Sequence, residues 1–323
     1  MSMKNEWLWE YPDYLYSINR LNALTSATEI AATYSEILTG KTIIVTGVSP
    51  DGLGLVTAAA FSPQRQQRLI LTGRPPEKVQ TSISTLKASY PGVQYDALIM
   101  DLSSTASVRA AAAKLNEDKS VPTVDILVNN AGVMALPDLQ LSEDGIEMTF
   151  ATNHVGHFLF TNLILPKIIK AAETSSTLTR IINIPAELPE EERPDLQKAR
   201  FLTGQDWSDK SYVGFLSYGQ SKTANILFSV SLTRKLEAKY GIRSYAIHPG
   251  AVTTNINRAE EGANSSVLSA VDTELPSPDL SGLEAKGLYM ADCKLDDEQC
   301  AGFARNKELW ALSEELVKEK FDI

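Results

Sequence analysis

The chain has 323 residues and a formal net charge of −10; it is 43% hydrophobic and 22% charged, with two cysteines, Cys293 and Cys300. This is the balance of a soluble globular protein, and its acidity argues against nucleic acid as a main partner, because phosphate binding needs a basic surface. Neither thiol has a His or Cys at ligand spacing, no run approaches the ~18 apolar residues of a membrane span, and Met1–Glu10 holds no apolar signal core, so no metal, no membrane and a cytoplasmic location are expected.

Residues 1–40 precede the first strand and carry a dense aromatic patch, Trp7, Trp9, Tyr11, Tyr14 and Tyr16. An arm packed on its own domain is expected, a lid or a subunit contact being the alternatives, with a helix from Ala27 to Leu38. Thr42-Ile43-Ile44-Val45 is a short apolar, β-branched run and reads as a buried strand. Gly47, Gly52 and Gly54 follow it, then an Ala-rich helix. Strand, glycine-rich turn and helix is the layout of a phosphate-binding turn, since glycines let the backbone approach a pyrophosphate and the helix N-terminus offers free N–H groups. A tight turn without ligand is the structural alternative.

A second strand, Arg68 to Arg74, ends without a carboxylate. In this layout a basic residue at that place suits a ribose 2′-phosphate and an acidic one the free 2′-hydroxyl, so Arg74 points to NADP over NAD. Tyr95 to Met100 is a third strand. Asp101 could reach an adenine edge, and Ser104 could cap the helix from Ala106 to Leu115. Asp125 to Val128 is a fourth strand and runs into Asn129-Asn130-Ala131-Gly132, where the amides serve structure or ligand equally well. A long helix over about 148–170 carries Asn153, His154 and His157, without a third group at metal spacing.

Arg180 to Ile184 is a fifth strand. The Pro- and Glu-rich stretch from Pro185 to Lys210 reads as a surface insertion. Ile242 to Ile247 is a sixth strand, residues 258–286 a mobile loop with at most one helix, and Gly287 to Met290 a last short strand. Leu309, Leu312 and Leu316 form the stripe of a C-terminal amphipathic helix. Strands alternating with helices imply an α/β fold: one Rossmann-type doubly wound parallel sheet of about seven strands with helices on both faces, spanning residues 41–323, with a substrate loop over about 255–286.

Tyr218 and Lys222 sit one turn apart on a helix over about 215–240. A tyrosine ordinarily holds its proton to about pH 10, and a neighbouring ammonium is expected to lower that value into the range of general acid–base work. A solvated helix face is the bland alternative.

These motifs, in this order, resemble the short-chain dehydrogenase/reductases: the glycines at 47, 52 and 54, Asn129-Asn130-Ala131-Gly132, Asn153, Tyr218 with Lys222, and Pro249-Gly250 with Thr254. The likeness covers about residues 40–320 and is strongest to the retinol-dehydrogenase-like, WW-domain-oxidoreductase-like branch, in particular its soluble fungal members. It implies an NADPH-dependent oxidoreductase of secondary metabolism acting on a small to medium apolar carbonyl or alcohol, and a homodimer paired through its two long helices. Tyr218 would be the proton donor, Lys222 its activating cation, and Asn153 the holder of a water in a proton relay. Cofactor contacts would come from Gly47, Ser49, Gly52, Leu53, Gly54, Arg74, Asp101, Leu102, Asn129, Ala131, Gly132, Tyr218, Lys222, Pro249, Gly250, Val252 and Thr254.

Two departures stand out. Four residues separate the first two glycines where the family has three. Where the family carries a catalytic serine, Asn183-Ile184 is followed by Pro185-Ala186, leaving Ser208, Ser211 and Ser217 as candidate replacements. A non-redox enzyme on the same scaffold, or a silent NADP(H)-binding protein, are therefore the alternatives.

Overall fold

The computed structural model describes residues 21, 25–64, 68–174, 178–185, 201–249, 256–280, 286–291, 293–295 and 308–323. Helix α1 (Ala27–Thr33) starts at a capping box, in which Ser26 Oγ accepts from the Glu29 N–H and Glu29 accepts from the Ser26 N–H. The single helix expected here breaks at Tyr34, and α2 (Ser35–Leu38) continues it. The aromatic patch of residues 7–16 lies outside the described residues.

Then come β1 (Thr42–Val45), α3 (Leu53–Phe61), β2 (Arg68–Gly73), α4 (Pro76–Ser89), β3 (Tyr95–Ile99), α5 (Thr105–Glu117) and β4 (Ile126–Asn129). A long helix, α6, runs through Met148–Phe150, a π-helical turn Ala151–Val155 and Gly156–Thr174. It is followed by β5 (Arg180–Asn183), a 3₁₀ turn Gly204–Asp206, α7 (Gly214–Tyr240), β6 (Arg243–His248), α8 (Ile256–Val271), β7 (Tyr289–Ala291), β8 (Lys294–Leu295) and α9 (Glu308–Val317).

The strands form one sheet in the order β3-β2-β1-β4-β5-β6-β7-β8, parallel except for the β7–β8 hairpin. The eighth, two-residue strand is the one element beyond the seven expected. Burial on both faces explains the continuous apolar runs of β1 and β4. Ile44, Ile70, Leu127 and Ile181 face one core with Phe158, Leu159 and Phe228 of α6 and α7. Ile43, Val45, Leu69 and Val128 face the other, with Ile30 of α1, Phe61 of α3 and Val267 of α8. Strand order reverses at β1, between β2 and β4, and such a switch point leaves a crevice at the strands' carboxyl ends.

Two compositional expectations change. The one helix allowed for in this stretch is present at 256–271, but its described part is core and not a loop: Ala263, Val267, Leu268 and Val271 are buried. The polar look of the stretch came from Ser265, Ser266 and Ser269, which are buried too. The described end of the supposed surface insertion is anchored as well. Phe201 stacks on Phe150 at 5.7 Å, and Trp207 is buried against Tyr212.

Candidate active site

The glycine-rich turn leaves β1 at Thr46. Gly47 has φ +71°, and a Cβ there would stand 2.6 Å from Ala131 Cα, so only glycine lets this turn lie against the end of β4. The additional residue between the first two glycines is absorbed by Asp51, which takes φ +61°, a left-handed conformation that Asp tolerates better than most residues. Gly54 packs its α-carbon where a Cβ would meet Asn130 Nδ2 at 2.6 Å and Gly47 O at 2.7 Å. No side chain caps α3, and the N–H groups of Leu53 and Gly54 find no acceptor among the described residues. A helix N-terminus left open in this way offers an anion two unpaired N–H donors.

Thr46 organises the floor. Its Oγ1 accepts from the Asn130 and Ala131 N–H groups at 2.9 and 3.0 Å, while Asn130 Nδ2 donates to Thr46 O at 2.7 Å. Its own proton goes to His157 Nε2, 2.9 Å away, and His157 Nδ1–H donates to Asn153 O at 3.0 Å. A carbonyl only accepts, which fixes the tautomer. Burial pushes the His157 pKa down to about 4, so the ring is neutral. The two histidines, His154 in the π turn and His157 just after it, are therefore struts; His154 bonds Ser313 of α9 at 2.7 Å. Among the described residues no group of three or more His, Cys, Asp or Glu could hold a metal.

Asn153, in the π turn, is fully buried and does not reach the open site. Its Oδ1 accepts from the Val133 N–H at 2.8 Å, and its Nδ2 donates to Val133 O and Ser221 Oγ, both at 2.9 Å. Ser221 Oγ donates in turn to Tyr218 O at 2.7 Å. The side chain of Asn153 is thus committed to splinting the backbone after β4 to the first turn of α7.

Lys222 Nζ donates to Ile184 O at 2.8 Å and stands 5.4 Å from the centre of the Tyr218 ring. Burial lowers the Lys222 pKa to about 8. Tyr218 departs from expectation: its pKa is raised, not lowered, because desolvation of the half-buried phenol outweighs any help from the ammonium. A phenol that keeps its proton at neutral pH is an acid, suited to giving a proton to a substrate.

One cavity of about 730 Å³ joins these parts. At one end lie Arg74, Lys78, Asp101 and Leu102; in the middle Gly47, Ser49, Gly52, Leu53, Asn130, Ala131 and Gly132; and at the far end Tyr218, Lys222 and Pro249. Beyond Tyr218 the wall is Val133, Met134, Leu136 and Met148, with Gln140 and Thr152. Arg74 faces Asp101 at 3.9 Å; the other Asp101 oxygen is taken by the Ser103 N–H and hydroxyl, and Ser104 caps α5. Asn129 points elsewhere: it is buried and donates to Thr161 Oγ1 and Asn183 Oδ1. Its neighbour Asn130 takes the place on the cavity. Lys78, in the first turn of α4, lines the same end as Arg74 and was not among the residues expected there. Ala186, Gly250, Val252 and Thr254 lie outside the described residues.

None of the three candidate serines lines the cavity. Ser208 and Ser211 are exposed and bond each other at 2.9 Å, and Ser217 is buried against Glu147 at 2.5 Å.

Residues 41–192 match the family described as short chain dehydrogenase. The chain is 35% identical over 246 residues to "Oxidoreductase fscI" of Fusarium equiseti, covering 70% of this chain and 93% of that protein. It is 34% identical over 253 residues to human "Retinol dehydrogenase 13", covering 76% of this chain and 71% of the relative. Among solved structures, an NADPH-bound carbonyl reductase from chicken fatty liver shares the fold, with a TM-score of 0.58 and 22% identity over 80% of this chain and 99% of that one.

Proposed function

This chain belongs to the short-chain dehydrogenase/reductase family, and from that premise we propose that it is an NADP(H)-dependent oxidoreductase of the retinol-dehydrogenase-like branch, reducing a carbonyl, or in reverse oxidising an alcohol, of a small to medium apolar metabolite. The observation that carries the reading is the single cavity running from a basic end, Arg74 and Lys78, past the open N-terminus of α3, to Tyr218 and Lys222. The residues fit the dinucleotide. The orphan N–H groups of Leu53 and Gly54 would meet the pyrophosphate, Arg74 and Lys78 the 2′-phosphate, and Lys222 the nicotinamide ribose. When bound, the cofactor supplies the hydride.

The rest falls to the chain. Tyr218, kept protonated by burial, gives its proton to the substrate oxygen as charge develops there. The Lys222 ammonium, held by Ile184 O, stabilises the phenolate left behind. Val133, Leu136 and Met148 supply an apolar wall beside the reacting carbonyl. A second donor to that oxygen is needed in place of the serine hydroxyl. Thr152 and Gln140 are the polar side chains on this part of the wall, and neither engages a partner among the described residues. Thr152 stands on the rigid π turn, one residue from Asn153, which makes it the better placed of the two.

The lack of a cavity-lining serine among the three candidates favours a second reading, a non-redox enzyme on the same scaffold. One assay separates them: purified protein, NADPH and a panel of apolar aldehydes and ketones, followed at 340 nm beside product mass. Products heavier by two hydrogens with matching NADPH loss support reduction, and an isomer formed with NADPH intact overturns it.

The homodimer paired through α6 and α7 is kept as part of the proposal; Trp310 of α9 packs on Phe158 and Phe228, and Phe321 on Phe158, so the C-terminus closes the core beside these two helices. No helix among the described residues is long and apolar enough to cross a membrane.

A further inference from the structure

Glu147 is fully buried, and among the described residues no cation pairs with it. A buried carboxylate is costly unless its oxygens are satisfied by hydrogen bonds. Here four donors converge. Oε1 accepts from the Thr149 N–H at 3.0 Å and the Tyr212 hydroxyl at 3.1 Å; Oε2 accepts from the Phe150 N–H at 2.8 Å and the Ser217 hydroxyl at 2.5 Å.

The two N–H groups alone would suffice to cap α6. The two hydroxyls come from elsewhere, Tyr212 from the segment leading into α7 and Ser217 from its first turn, immediately before Tyr218. One turn later Ser221 is tied to Asn153 of the same α6. Ser217 and Ser221, four residues apart, are therefore two rungs between α6 and the turn of α7 that bears the proposed proton donor.

We propose that Glu147 is a positioning residue for Tyr218: its carboxylate locks the first turn of α7 to the N-terminus of α6 and so sets where the phenol stands over the cavity. This rests on Tyr218 acting as the proton donor. The requirement is for a carboxylate, not merely a polar group. Each of its oxygens faces a main-chain N–H, so a glutamine in either orientation would turn an amide N–H onto another donor.

The test compares the parent with Glu147→Gln and Ser217→Ala. The readouts are thermal midpoint, NADPH dissociation constant by fluorescence quenching, and kcat for NADPH-dependent reduction of 9,10-phenanthrenequinone as a probe carbonyl. Ser217→Ala leaves the cap intact. It is expected to lower kcat by up to ~10², the scale of an ångström's misplacement, with NADPH affinity close to the parent's and the midpoint lowered less than in Glu147→Gln. Glu147→Gln should lower kcat at least as far and the midpoint as well. A structural bond and nothing more would lower the midpoint and leave kcat unchanged in both variants, and that result overturns the proposal. A crystal structure of Ser217→Ala gives the independent arm: the Tyr218 hydroxyl should shift relative to Lys222 Nζ, and an unmoved phenol is equally fatal. If the parent does not reduce the probe, it is the oxidoreductase reading that fails, and the crystal structure alone decides on Glu147.

Discussion

The two ends of the cavity are built by different means. At the dinucleotide end the backbone itself is the device. Thr46, Gly47, Gly54, Asn130 and Ala131 approach so closely that added Cβ atoms at the two glycines would fall within 2.7 Å of their neighbours, while Asn130 binds main-chain groups with its side chain and Thr46 binds main-chain N–H groups and His157 with its own. At the substrate end the wall is made of side chains with little holding them. Met134 is 65% exposed, and Thr152 and Gln140 have no partner among the described residues. Packing that tight makes the first end inseparable from folding, whereas the second is free to change reaction and specificity at little cost in stability.

The comparison breaks most visibly at Tyr218. Tyr218→Phe removes one hydroxyl that holds no part of the fold together. Turnover should fall by about 10²–10⁴, the worth of a positioned general acid, while the thermal midpoint holds. A variant that loses midpoint along with activity would show that the substrate end is structural after all. At the other end the outcome should invert. Gly47→Ala forces an L side chain into φ +71° and a Cβ to within 2.6 Å of Ala131 Cα. Strain and clash together should lower stability by about 3 kcal/mol and weaken NADPH binding with it, read by urea unfolding and fluorescence quenching on one preparation. Unchanged stability would remove the contrast.

The same division governs what could be read from the amino-acid order. The first six strands and the glycine-rich turn were legible because a parallel sheet buried on both faces leaves short β-branched runs, and because glycines at 47, 52 and 54 mark the turn that packs on β4. The Tyr218–Lys222 pair was legible from its i,i+4 spacing. Its electrostatics were not, since whether burial or the ammonium wins for the phenol depends on solvent exclusion. Nor was the use of Glu147, His157 and Ser221: each looks like an ordinary polar residue on a helix until α6 and α7 are set side by side. The α8 stretch misled for a related reason. Buried serines such as Ser269, which bonds the Ser265 carbonyl within the helix, have the composition of a loop.

Thr152→Val tests the substrate end at the level of a single hydroxyl. The two side chains have nearly the same shape, so packing on the π turn is kept and only the donor is lost. A fall in kcat of about 10², with NADPH affinity unaltered and activity restored in Thr152→Ser, would match the loss of one oxyanion donor. Full activity in Thr152→Val with a loss in Gln140→Leu would move the assignment to Gln140.

The smallest expected effect lies at the basic end, where the comparison is sharpest. Arg74 is 72% exposed on its side chain and faces Asp101 at 3.9 Å, so the ion pair itself contributes little. A 2′-phosphate would offer the guanidinium a dianionic partner with bidentate geometry, whereas the ribose hydroxyl of NADH offers neither. Exposure to solvent discounts that gain, and Lys78 on the same rim shares it. Arg74→Ala should therefore weaken NADPH by only about tenfold and leave NADH unchanged, and a larger loss should appear when Lys78 is replaced as well. Because neither side chain is part of the packed turn, both variants should keep the parent's stability, unlike Gly47→Ala further along the same cavity. Equal weakening of both cofactors by Arg74→Ala would mean that the residue shapes the adenosine pocket and does not read the phosphate. Tighter binding of NADH than of NADPH by the parent protein would remove the NADP assignment altogether.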